Sequence, residues 1–173
     1  MLYLLVANVL ITAKDSYYPV AVVPEFWEWL EHMGRRGNVK IPLEIFEEIK
    51  EGPSKPERDL LFDWIQQADV RRSLLLEEAV DPALVQRAVN EGYAPDLTDA
   101  EVDELGRDPF LVAYGLADSA HRRIVTAEAS RPGKRRQNRK VPNVCDDLGL
   151  SWCGPFEFYR QLGFSTRWKS NLA

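Results

Sequence analysis

The sequence predicts an α/β fold of three layers, with a central, mainly parallel sheet flanked by helices. Three observations carry that prediction. An unbroken apolar run, Leu2-Tyr3-Leu4-Leu5-Val6, opens the chain as a strand covered on both faces would. A β-branched run, Ile124-Val125-Thr126, recurs far downstream. Between and after these, helical periodicities begin at prolines and stop at glycines, and alternation of strands with helices is the pattern of a parallel sheet.

The elements follow in order. Met1 to Ala13 is apolar apart from Asn8 and Thr12, lacks a leading basic region, and is shorter than the roughly 20 apolar residues a bilayer span needs. It reads as a buried strand running into a helix, and no other segment is a membrane candidate. Tyr17 to Pro24 is bracketed by prolines and reads as loop. Pro24 opens a helix with Phe26, Trp27, Leu30 and Met33 on its apolar side, ending at Gly34 or Gly37. Val39 and Ile41 suit a short strand. Pro42 starts a helix that runs to about Glu51, and Glu51 to Glu57 is a polar loop before a helix holding Leu60, Leu61, Trp64 and Ile65. Leu74 to Leu76 is read as a short strand. Pro82 to about Glu91 is helical, Tyr93 to Arg107 is rich in acids and turn residues around one short helix, and Asp108-Pro109 begins an apolar helix. Leu150 to Cys153 forms the last strand and Pro155 to Leu162 the last helix.

A chain of 173 residues fits one domain. With 45 % hydrophobic and 28 % charged residues it is neither disordered nor fibrous. A net charge of −5 excludes a histone-like coat for DNA but leaves room for one local basic patch. Two cysteines, Cys145 and Cys153, make no disulfide framework or zinc pattern; buried free thiols in a reduced, cytoplasmic setting are the simpler reading.

Glycine-rich phosphate loops, HExxH and GxSxG are all missing. His32 and His121 stand far apart in polar stretches and read as surface residues. Acids remain. In the helix from Pro42, Ile45 and Ile49 lie about 40° apart and mark the buried stripe; Glu48 falls about 60° from Ile45, while Glu47 is roughly opposite. Glu48 is thus at the edge of the core face and Glu47 in solvent, with a plain boundary carboxylate as the alternative for Glu48. Asp108, ahead of Pro109, suits a helix N-cap, a ligand, or both. Asn8 and Glu128 fall just past the ends of the first strand and of Ile124–Thr126, where ligands bind in open parallel sheets. Ala129 to Lys140 holds Arg131, Lys134, Arg135, Arg136, Arg139 and Lys140 and no acid after Glu128, which makes it either a solvated loop or a phosphate-binding one.

The order of these signals resembles that of PIN domains. Tyr3-Leu4-Leu5-Val6-Ala7-Asn8 is similar to an opening strand that ends in Asp-x-Asn; Glu48-Ile49, Asp108-Pro109-Phe110-Leu111 and Val125-Thr126-Ala127-Glu128 match the later acidic motifs, with Glu128 for the commoner Asp. Tyr17-Tyr18-Pro19, Phe26-Trp27-Glu28-Trp29-Leu30 and Lys140-Val141-Pro142-Asn143-Val144-Cys145 resemble one bacterial and archaeal PIN-like branch, in which Asn143 is commonly Asp. The resemblance spans Tyr3 to about Gly163, giving one PIN-like domain over 3–163 and a tail over 164–173 that is expected to fray.

The resemblance implies a metal-dependent endoribonuclease, typically the toxin of a toxin–antitoxin pair. It implies Mg²⁺ or Mn²⁺ held by Glu48, Asp108 and Glu128, with Asn8 and Thr126 lining the site. Where the family has its first Asp, this chain has Val6, which offers no oxygen. Catalysis is therefore expected to be impaired, and a non-catalytic module binding RNA or a protein is the alternative. The basic residues Arg131 to Lys140 are expected to meet RNA phosphates or an acidic segment of a cognate antitoxin. Trp27 and Trp29 supply more aromatic surface than one helix face needs, which points to a homodimer.

Overall fold

The computed structural model describes residues 1–51 and 59–171. The polar loop read from Glu51 to Glu57 therefore lies almost wholly outside the described residues. Strand β1 (Leu2–Leu5) leads into α1 (Ala7–Thr12), which widens into a π-helical turn over Ala13–Tyr17. Then come α2 (Pro24–Arg35), β2 (Val39–Lys40), α3 (Leu43–Glu51), α4 (Leu60–Ile65), α5 (Ala68–Leu74) and α6 (Pro82–Arg87). After a second wide turn, Ala88–Tyr93, follow α7 (Asp99–Glu104), α8 (Asp108–Ala117), β3 (Arg122–Val125), α9 (Val141–Leu148), β4 (Trp152–Cys153) and α10 (Pro155–Gln161).

The described strands form one parallel sheet in the order β2-β1-β3-β4, so the apolar first strand is interior, as its composition predicts. Leu2 pairs with Arg122 and Leu5 with Val125, while Tyr3 pairs with Val39. From β1 the chain passes to one side to make β2, then to the other side to make β3. The topological switch therefore falls between β1 and β3, and the crevice outside their carboxyl ends is where such sheets place ligands. Helix α8 is buried along most of its length by Leu111, Val112, Ala113, Tyr114 and Gly115. No described helix is long and apolar enough to cross a membrane.

Four expectations are corrected by packing. Leu74 ends helix α5, and Leu75 makes only an isolated parallel bridge with Ile41. Trp27 and Trp29 are both consumed by the core: Trp27 packs edge-on against Trp64 and donates from Nε1 to the Tyr18 carbonyl, and Trp29 lies against Phe26 and Phe158. They offer no spare aromatic face to a second copy. The tail does not fray where it is described, because Trp168 is buried and its Nε1 donates to the Glu25 carbonyl at 2.9 Å. His32 is half-buried rather than on the surface, its ring 4.9 Å from that of Trp168. Burial, with Arg36 and Arg35 nearby, lowers its pKa. His121 is exposed as read, and Cys145 and Cys153 are buried free thiols.

Candidate functional site

Val6 follows β1 in an extended conformation and is the N-cap residue of α1; its N–H donates to the Val125 carbonyl at 3.1 Å and its side chain is buried. Two residues on, Asn8 bridges to the neighbouring central strand. Its Nδ2 donates to Thr126 Oγ1 at 3.4 Å, and its Oδ1 accepts from the Ala127 N–H at 2.9 Å. Thr126 is fully buried, and its hydroxyl oxygen also accepts from the Glu128 N–H at 3.1 Å. Asn8 and Thr126 thus lock together the two strand ends at the switch point and fix the start of the loop that carries Glu128.

Glu128 is half-buried and already engaged. Its Oε1 accepts from Lys140 Nζ at 2.8 Å and its Oε2 from the Val141 N–H at 2.9 Å, so the carboxylate faces the N-terminus of α9, where a negative charge is favoured. Asp108 is the first helical residue of α8, not its cap. Arg107 occupies the cap position, Pro109 has no N–H to offer, and no described residue donates a hydrogen bond to the Asp108 side chain. Burial, then the like charges of Glu128 and Glu48, push the Asp108 carboxyl from the usual 3.8 to about 7, against the pull of Lys140. Glu48 is exposed on α3, yet the protein around its carboxyl raises its pKa; Arg107 opposes this and Glu51 adds to it. Glu47, read as solvated, is half-buried and paired with Lys50 at 2.8 Å.

Three carboxylates from three elements therefore share one electrostatic environment at the carboxyl end of the sheet. Their donor type suits a hard divalent cation. Their placement does not: among the described residues no group of three His, Cys, Asp or Glu side chains is gathered to hold a metal ion. Both Glu128 oxygens are taken, and the buried Val6 side chain offers no oxygen. As it stands, Lys140 is the cation of this site.

Asp108 opens into a polar cleft of about 460 Å³, walled by Arg131, Lys134, Asn138, Arg139 and Lys140 from the basic loop and by Glu104 and Leu105 from α7. The six basic residues divide. Arg136 is a strut: it binds Glu101 through Nε at 2.8 Å and Asp96 through Nη1 at 2.8 Å. It holds the Glu101 carboxyl down at about 2 and adopts a left-handed backbone, φ 54°. Arg139 is another, donating to the carbonyls of Gly92 and Asn143 and to Asp147. Lys140 is spent on Glu128. Arg131, Lys134 and Arg135 remain exposed and, among the described residues, free of any ion pair.

A family model described as a domain of unknown function, DUF4411, matches residues 3–166. The chain belongs to the DUF4411 family. No curated protein and no solved structure matches it.

One residue of this DUF4411 site, Tyr93, and the structural role of another, Asn143, escaped sequence reasoning. Tyr93 is buried beside the acids: its hydroxyl has no partner among the described residues, and burial, then Asp108, Cys145 and Glu128, drive its pKa well up. It lies in a stretch that reads as an acidic loop, and only the wide turn Ala88–Tyr93, packed between α8 and α9, brings it inward. Asn143 anchors the basic loop, accepting from the Arg131 N–H at 2.7 Å and donating to Ser130 Oγ at 2.8 Å. The signal for Asn143 was its position in the Lys140–Cys145 motif, where an amide can donate and accept but a carboxylate only accepts.

Proposed function

We propose that the site is an endoribonuclease centre of the PIN type, disabled in this sequence at Val6, whose cleft still takes up RNA. One observation carries the reading. Asp108, crowded by Glu48 and Glu128, opens into the same cleft that displays Arg131 and Lys134, so the acidic and basic segments meet although they are distant in sequence. Acids alone would repel a phosphodiester. Exposed guanidinium and ammonium groups at the rim draw the backbone in by releasing counterions, and the acids wait beneath. Asn8 and Thr126 hold the strand ends in register, Arg136 ties the basic loop to Asp96 and α7, and Arg139 ties it to Gly92 and α9. The Mg²⁺ or Mn²⁺ that the PIN resemblance implies has no cage in the present residues, so no catalytic step is assigned to it. The reading also includes a cytoplasmic setting, which the buried free thiols suit, and an antitoxin partner whose acidic segment competes with RNA for Arg131, Lys134 and Arg135.

The test is cleavage of mixed RNAs by the native chain and by Val6→Asp, each with Mn²⁺ and with chelator. An Asp at this extended N-cap position finds a backbone already suited to it. The native chain is expected to bind RNA without cutting it. Val6→Asp should cut only with metal, and Glu48→Gln or Asp108→Asn in that background should abolish cutting. An inert Val6→Asp protein that still folds and binds RNA would replace the nuclease reading with a non-catalytic binding module.

A further inference from the structure

We propose that an apolar groove between α6, α7 and α8 docks a basic, amphipathic helix of a partner protein. The groove encloses about 310 Å³ and is lined by Val80, Pro82, Val85, Val89, Val102 and Phe110. Val102 is 40 % exposed on α7, where a lone surface helix would carry a polar residue, and the other valines and Phe110 are half-buried. A concave pocket lined almost wholly by apolar side chains suits the insertion of a few apolar anchors.

The rim identifies the occupant. Between Glu77 and Glu104 the sequence holds nine acids and a single base, Arg87, although the whole chain carries only −5. Arg87 is itself neutralised by Glu91. Glu77, Asp81, Asp99 and Asp103, which neighbour the lining residues in sequence, are exposed, and among the described residues none of them makes an ion pair. An apolar floor with an uncompensated acidic rim is complementary to aliphatic side chains flanked by Lys or Arg. The occupant is helical, because the walls are helices whose backbone groups are already used and no strand edge is on offer. A second copy of this chain does not supply it: its one basic run, Arg131 to Lys140, contains no aliphatic residue besides Pro132. Helix α7 is the wall shared with the basic cleft, since Val102 faces the groove while Glu104 and Leu105 line the cleft. The inference stands without the ribonuclease reading, because it uses none of the acidic-site residues.

The experiment titrates the full chain into a fluorescein-labelled Leu/Lys helix with its leucines on one face, followed by anisotropy. An isomer of identical composition with scattered leucines serves as control. The amphipathic helix should bind one to one and the isomer about tenfold more weakly, the loss expected when an apolar anchor misses its pocket. Val102→Glu should weaken binding about tenfold even though it adds negative charge, and Val102→Thr, uncharged and close in shape, should weaken it in the same direction. Neutralising Asp99 and Asp103 together should weaken binding and flatten its salt dependence. Equal or tighter binding by Val102→Glu would overturn the proposal, since charge attraction alone predicts that sign. Concentration-dependent self-association that Val102→Glu abolishes would overturn it too, by giving the groove to a second copy.

Discussion

Replacing Asp108 by Asn should remove much of the loss of stability that the protein suffers as pH rises from about 4 to about 7. The carboxyl begins α8 half-buried, accepts no hydrogen bond from a described residue, and has Glu128 and Glu48 for company, which together raise it from 3.8 to about 7. A carboxyl whose pKa rises on folding holds its proton more tightly in the folded state. Stability is therefore greatest below the unfolded value near 3.8, falls as pH climbs through the window between 3.8 and 7, and levels off above it. At about 1.4 kcal/mol per pH unit, the shift amounts to about 4 kcal/mol by pH 8. Asn cannot ionise, so the gap in unfolding free energy between Asp108→Asn and the native chain should widen by about that amount from pH 4 to pH 8. Urea unfolding followed by fluorescence of the five tryptophans measures it. Contributions from carboxylates distant from Asp108 cancel in the difference, while Glu128 and Glu48 are relieved of its charge and widen the gap further, so a gap constant to within about 1 kcal/mol would refute the strained-carboxyl account. Asp103→Asn, on the exposed face of α7, is the control and should track the native chain throughout.

Gly92→Ala places a Cβ 2.6 Å from Val144 Cγ1, a stiff neighbour, and should lower stability by about 1–3 kcal/mol, read as a lower urea midpoint. Arg136→Ala should loosen the basic loop from α7. Trypsin should then cut faster after Lys134 and Arg135, and the Glu101 carboxyl, now held at about 2, should titrate nearer the ordinary value in a carbon-detected NMR titration. Trp168→Ala removes a buried ring that packs against His32 and a hydrogen bond to the Glu25 carbonyl, and should cost about 3 kcal/mol, with the midpoint again the measure. Arg131→Ala with Lys134→Ala should weaken RNA binding and lower its salt slope by about two, whereas Arg136→Lys should leave that slope unchanged.

What the sequence determined by itself was local. The apolar run through Val6, the β-branched run ending at Thr126 and the continuous hydrophobicity of α8 announce burial, because periodicity reports how one segment meets its surroundings. Polar groups placed just past strand ends, Asn8 and Glu128, were legible for the same reason, and the structure brings them to the crevice between β1 and β3. The tertiary structure decided everything that depends on which distant surfaces meet. It spent Trp27 and Trp29 inside the core, turned Glu128 toward Lys140 and the start of α9, and divided one basic run into struts and free cations. It also brought in Tyr93, Trp168 and His32, which no spacing flagged. A charge's partner and a ring's neighbour are fixed by contacts far apart along the chain, and those contacts exist only once the helices have docked on the sheet.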